Sequence, residues 1–173
     1  MAVNISESNQ QPEPWLRGPM AQAHPLVMPV FFSFAQVRED LGKHTAELSR
    51  EQVWRRVGEA SLGFHLKHLA GSVDRLTTYL TSGQLSKEQL QSLREEARGT
   101  EGIRELLQAV DKALAISEEK LLTVDPHSLY EKRVVGRKEL PTTVLGLLVH
   151  IAEHTQRHLG QAITLSQVLR QKT

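Results

Sequence analysis

Apolar residues recur every three or four positions along most of this chain. This helical period predicts four long helices, one starting near Pro29 and the others over about 60–81, 101–123 and 141–170. Shorter helices are predicted at 49–57 and 86–99, each opening with Ser and Gln three residues apart, the spacing of a capping box. Residues 127–140 lack the period and predict a loop or a short hairpin. The pattern favours an all-α fold, an antiparallel four-helix bundle with short extra helices.

The first 25 residues differ in composition from the rest of the chain. They are rich in Gln, Ser, Glu and Pro, which predicts a flexible or extended N-terminal arm over 1–25. Trp15 is expected to pin this arm to the body of the protein. The remaining residues, 26–173, form one predicted domain, long enough to bury a core without disulfide bonds or a structural metal.

The charge balance and the apolar runs argue against several classes of partner. Lys and Arg number 21 against 20 Asp and Glu, and no basic stripe alternates with aromatic residues, so no nucleic-acid partner is expected. The longest apolar run, Leu26–Ala35, is interrupted by Pro29 and too short to span a bilayer, so no membrane association is expected. The polar start of the chain does not resemble a signal peptide. These features predict a cytoplasmic protein.

Three histidines, His150, His154 and His158, lie at four-residue spacing in the last predicted helix. Each step of four residues rotates the side chain by about 40°, so neighbouring members share a face. Projection onto the apolar stripe of this helix puts His158 at its centre, His154 beside it and His150 at the edge. Buried imidazoles need partners for their nitrogens, and one metal ion satisfies two of them at once. The inner pair is therefore a candidate metal-binding pair, with two core histidines bonded to carbonyl or carboxylate groups as the alternative.

A facing helix is expected to supply a further ligand, because catalytic metal sites commonly use three protein ligands and keep one position open. The second long helix offers His65 and His68. On a helical projection His65 lies about 40° from the apolar residue Leu69, and His68 lies about 100° from it. Helix facing alone therefore favours His65.

The chain resembles the DinB/YfiT-like superfamily, a group of metal-dependent proteins. The features that carry the resemblance are the helix order, the short helix with Trp54, His68-Leu69-Ala70 with Asp74-Arg75 after it, and His154-x-x-x-His158 with Leu159-Gly160-Gln161 after it. The resemblance covers nearly the whole chain from about residue 26 and implies a DinB-like four-helix-bundle domain. It also implies a metal held by His68, His154 and His158. His65 and His150 then become supporting residues or alternative ligands.

The segment from His150 to His154 also matches H-x-x-E-H, the inverted zinc-protease motif in which Glu153 would act as the base. Little chain follows His154 to supply a further carboxylate ligand, so this motif is the weaker interpretation. Glu153 is instead expected to face partly to solvent.

Three more polar residues have candidate roles near the histidines. Asp74 and Arg75 can orient His68 or meet an anionic substrate, and a surface or interhelical ion pair is the alternative. Gln161 can bond a metal-bound water, with packing or solvation as the alternative. No catalytic residue is identified from the sequence.

Three neutral imidazoles suit several divalent ions, and Zn or Ni is expected, with Fe, Co and Mn as alternatives. The resemblance implies thiol chemistry, because relatives include transferases and isomerases that use low-molecular-weight thiols such as bacillithiol, mycothiol or glutathione. The chain has no cysteine, which agrees with a thiol brought in from outside. The leading hypothesis is a metal-dependent thiol transferase acting on a small-molecule substrate. A metal-hydroxide hydrolase and a non-catalytic, stress-related metal-binding bundle are the alternatives, and the family also permits a homodimer.

Overall fold

The computed structural model describes residues 11–171. Within them lie six α-helices and one two-stranded hairpin. The elements are α1 (Met28–Thr45), α2 (Arg50–Trp54), α3 (Leu62–Leu80), α4 (Lys87–Glu95), α5 (Ile103–Leu121), β1 (Lys132–Val135), β2 (Leu140–Thr143) and α6 (Val144–Arg170). A short 3-10 turn, Pro14–Leu16, precedes α1, and another, Pro126–Ser128, lies between α5 and β1.

The four long helices, α1, α3, α5 and α6, surround one hydrophobic core. Helix α3 packs against α5 and α6, and α1 packs against the same two helices. Each long helix contributes a buried apolar stripe to this core, which includes Phe34, Leu41, Leu66, Leu69, Leu114 and Ile151. The predicted all-α bundle is confirmed, and its hairpin begins in the region where the helical period was absent and extends three residues beyond it, to Thr143.

The direction of α5 follows from two contacts with α3. Lys67, in the first half of α3, bonds Glu101 just before α5, and Thr77, near the end of α3, bonds Ser117 near the end of α5. These two helices therefore run in the same direction. The segment between them, which contains α4, carries the chain back from the end of α3 to the start of α5. The antiparallel arrangement holds for α3 against α6, where successive histidines pair in opposite order.

Side-chain caps fix where the helices begin. The capping boxes expected at Ser49 and Ser86 are both formed. The last helix begins at Val144, three residues later than the sequence indicates, because Pro141 and Thr142 pair with β1 in the hairpin. The side chain of Thr143 then accepts a hydrogen bond from the backbone of Gly146, which starts the helix.

The described part of the N-terminal arm, residues 11–25, is attached to α1 by a charged pair. Both terminal nitrogens of Arg17 contact the carboxylate of Glu39, at 2.6 and 2.8 Å. Trp15 is 60% exposed and its indole N–H donates to Glu13, within the arm itself. Arg17 therefore provides the polar attachment, and Pro14 is the buried residue of the turn. The prediction for residues 1–10 lies outside the described residues, as do residues 172 and 173.

None of the helices in the described range combines the length and the apolar character that a membrane span requires.

Candidate metal centre

The antiparallel packing of α3 on α6 brings histidines of both helices together. His68 lies opposite His154, with 3.1 Å between their Nε2 atoms, and His65 lies opposite His158, with 3.0 Å between their Nδ1 atoms. One potential ligand atom from each of His68, His154 and His158 lies within 4.8 Å of the other two. The spacing of i, i+4 on α6 and one facing residue on α3 thus produces a compact three-histidine group.

His68 is held from behind by a buried ion pair. Its Nδ1 lies 2.6 Å from Oε2 of Glu96, the residue that follows α4. The other oxygen of Glu96 accepts a hydrogen bond from Arg75 at 2.7 Å. Glu96 is 3% exposed and Arg75 is 8% exposed, so solvent does not compete for these contacts. The Nε2 atom of His68 remains free to face α6.

His158 is held in the same manner by a neighbouring imidazole. The hydrogen bond between the two rings joins Nδ1 of His65 to Nδ1 of His158, and one of these atoms donates to the other. The Nε2 atom of His158 therefore takes no part in it. His65 is 7% exposed and His158 is 8% exposed. His65, which helix facing favoured as a ligand, thus lies behind His158 instead of within the group of three.

His154 has an unsatisfied nitrogen. Its Nδ1 is buried and has no hydrogen-bond partner among the described residues. A buried polar atom without a partner is costly, but this nitrogen is not the one that faces His68, which is Nε2. Two of the imidazoles are also held neutral: burial, and repulsion from His68 when its ring is protonated, lower the pKa of His154 to about 4 and that of His158 to about 3.

These features fit a divalent metal ion. Metals bind neutral imidazole, and a ligand histidine usually donates its second nitrogen to a carboxylate or another acceptor, as His68 does to Glu96. Three nitrogen ligands without sulfur or carboxylate suit Zn, Ni, Co or Fe better than Mn, which prefers oxygen ligands.

A second group on α6 meets the same distance criterion. His150, Glu153 and His154 place one potential ligand atom each within 4.8 Å of the others, which is the H-x-x-E-H motif of the sequence. His150 and Glu153 are both exposed, however, and Glu153 also pairs with Arg157. This group is therefore open to water, and its carboxylate is already engaged.

The remaining residues singled out in the sequence lie at different distances from the site. Asp74 and Arg75 do not pair with each other: Asp74 accepts a hydrogen bond from Gln89, and Arg75 reaches the site only through Glu96. Gln161 is exposed and lines an open cleft of about 720 Å³ that also includes His65. None of the three histidines of the group lines that cleft; only His65, behind His158, does.

Glu96 is the residue that sequence reasoning missed. It lies at the end of a short polar helix, next to another glutamate, where a solvated position is the ordinary expectation. The only signal in the sequence was Arg75, a charged residue on a helix whose neighbours face the core.

The fold and the site define a helical bundle with a three-histidine group between two of its helices. A family model described as the DinB superfamily matches residues 33–162, and the chain belongs to that superfamily. No curated protein matches the chain.

Proposed function

We propose that this DinB-superfamily protein is a metal-dependent enzyme that transfers a small thiol to an electrophilic substrate. In the proposal His68, His154 and His158 hold a divalent ion, most simply Zn²⁺ or Ni²⁺. The observation that carries it is the convergence of three imidazoles from two helices, with one potential ligand atom of each within 4.8 Å of the others.

A divalent ion bound there would lower the pKa of a coordinated thiol and make its sulfur nucleophilic near neutral pH. In the transfer, the thiol loses its proton and its sulfur bonds an electrophilic carbon. The leaving group departs with the bonding electrons and takes up a proton. The protein's own part is to hold the three imidazoles and to keep His68 oriented through Glu96.

The surroundings of the site favour a thiol over water as the nucleophile. Hydrolysis benefits from a free carboxylate or histidine that accepts a proton from water. Glu96 is already bonded to His68 and Arg75, and Glu153 is already paired with Arg157. A thiol needs less help, because its ordinary pKa of about 8.5 is far below that of water.

A metal-hydroxide hydrolase is the second candidate, and the observation that favours it is the group of His150, Glu153 and His154, whose potential ligand atoms lie within 4.8 Å of one another. Glu153 would serve as the base if Arg157 released it. A non-catalytic metal-binding bundle is the third candidate. A homodimer, a small-molecule substrate, the absence of nucleic-acid and membrane partners, and a cytoplasmic location remain predictions from the sequence.

The thiol proposal is tested by thermal shift on protein loaded with Zn²⁺ or Ni²⁺. Cysteine, glutathione, bacillithiol and mycothiol are compared, with serine as the matched control in which a hydroxyl replaces the thiol. A ligand that binds the folded state raises its melting temperature. We expect at least one thiol to raise it and serine to have no effect, and the shift to disappear in His154→Ala. Conjugation of that thiol to an aryl halide then measures the transfer itself.

Two outcomes contradict the proposal. If metal-loaded protein responds to no thiol, hydrolysis or non-catalytic binding is favoured. If His154→Ala retains the full response, the thiol binds elsewhere.

A further inference from the structure

We propose that Glu96 is a positioning residue for the metal centre, and that with Arg75 it fixes the ring orientation and the tautomer of His68. The inference rests on the proposed metal site, but its first consequence concerns the metal-free protein. It assigns a role to the α3–α5 connection, which otherwise looks like a surface linker.

The burial of Glu96 is unusual for its place in the chain. None of the nine residues of α4 is buried, yet Glu96, directly after it, is 3% exposed. Burying a carboxylate costs free energy unless it is paired and hydrogen-bonded. Glu96 meets this requirement with Arg75 on one oxygen and His68 on the other. Helix α4 therefore brings a single charged group into the space behind the three histidines.

The direction of the hydrogen bond decides the tautomer of His68. A carboxylate oxygen only accepts, so Nδ1 of His68, at 2.6 Å, carries the hydrogen. In the neutral ring the Nε2 atom then has its lone pair available on the side where His154 lies, 3.1 Å away. Without Glu96 the ring could rotate or hold its hydrogen on Nε2, and in either case the lone pair would be lost to the metal site.

A glycine on α3 makes room for this arrangement. A Cβ atom at Gly71 would lie 2.6 Å from Nη1 of Arg75 and 2.6 Å from Oε1 of Glu96. Glycine is among the least favourable residues in a helix interior, so its use here has a steric reason. The ion pair is seated directly against the α3 backbone, and no side chain fits between them.

The tautomer is measured first, on metal-free protein labelled with ¹⁵N-histidine. Long-range ¹H–¹⁵N correlation spectra distinguish a protonated Nδ1 from a protonated Nε2. We expect His68 to be in the Nδ1–H form in the wild type. In Glu96→Ala we expect the Nε2–H form to appear, or an average of the two.

The affinity for Zn²⁺ is measured next by competition with a chelator. Loss of such a partner typically weakens metal binding by about 10- to 100-fold, and we expect a change in that range for Glu96→Ala. Gly71→Ala is expected to weaken binding in the same direction, since it displaces the ion pair without touching His68.

Gln89→Ala is the matched control. Gln89 also ties α4 to α3, through Asp74 and Thr78, but none of its hydrogen bonds involves the histidines. It should leave both the tautomer and the affinity unchanged. A loss of affinity equal to that of Glu96→Ala would show that docking of α4 matters and the carboxylate does not.

A wild-type His68 protonated on Nε2, or a Glu96→Ala variant with unchanged tautomer and affinity, overturns the proposal. If Glu96→Ala does not fold, Arg75→Met combined with Glu96→Leu removes both charges and leaves none unpaired. If wild-type protein binds no metal, the proposed function fails. The tautomer measurement still decides whether Glu96 positions His68.

Discussion

The Nε2 atoms of His68 and His154 lie 3.1 Å apart across the contact between α3 and α6. Two nitrogens that each lie about 2.0–2.1 Å from one tetrahedral ion are about 3.3 Å from each other. The two imidazoles are thus separated by nearly the distance that a shared ion requires. The packing of α3 on α6 sets this separation.

The stability of the metal-free protein should depend on pH through the buried histidines. The folded pKa values of His154 and His158, about 4 and about 3, are below the unfolded value of about 6.5. Below pH 6.5 the unfolded chain therefore binds more protons than the folded one, and stability is lost as the pH falls.

We expect the free energy of unfolding to be level above about pH 7 and to decrease from about pH 6.5 toward pH 4. Urea titrations over this range measure the slope. His158→Gln should flatten it, and an unchanged slope in that variant would contradict the account.

Gly63 should tolerate no side chain, because the Trp54 ring packs directly on it. A Cβ at this position would lie 2.8 Å from three carbons of the ring, whose N–H donates to Glu101. Gly63→Ala is expected to destabilise the protein by about 1–3 kcal/mol through overpacking.

Gly42, in α1, is the control, since a Cβ there meets nothing within 4 Å. Gly42→Ala should be neutral or stabilising by up to about 1 kcal/mol, because alanine favours the helix. Thermal or urea unfolding of both variants is the measurement, and equal effects would be inconsistent with the packing described.

Leu66 tests the core beside the site. It is fully buried, so Leu66→Ala removes apolar contacts and leaves a cavity, at a cost of about 2–5 kcal/mol. Leu93 is 42% exposed, and Leu93→Ala should change stability by only about 0.5 kcal/mol. The comparison is made from urea midpoints with unchanged m values. A similar loss in both variants would show that α3 is not packed as described.

The sequence predicted the helices well because their stripes and caps are local features. Ser49 and Ser86 cap helices as their spacing indicates, and the histidine series on α6 lies on one face for the same geometric reason. The start of α6 was placed too early, because Pro141 is acceptable both in a first helical turn and in an edge strand.

Tertiary contacts were harder to predict. Periodicity favoured His65, whereas the structure places His68 opposite His154, since the tilt of α3 against α6 is set by packing along both helices. The pairing of Arg75 with Glu96 joins residues 21 positions apart through a turn of the chain, and no local pattern encodes it.

The metal content of the purified protein tests the central claim most directly. After incubation with Zn²⁺ and removal of excess ion, wild-type protein and His150→Ala should retain about one ion per chain. His68→Ala, His154→Ala and His158→Ala should each retain less than about 0.2, since each removes one of the three imidazoles. His68 belongs only to the three-histidine group, and His150 belongs only to the group with Glu153, so these two variants distinguish the groups. Retention of zinc by His68→Ala together with its loss from His150→Ala, or no bound metal in the wild type, would contradict the three-histidine site.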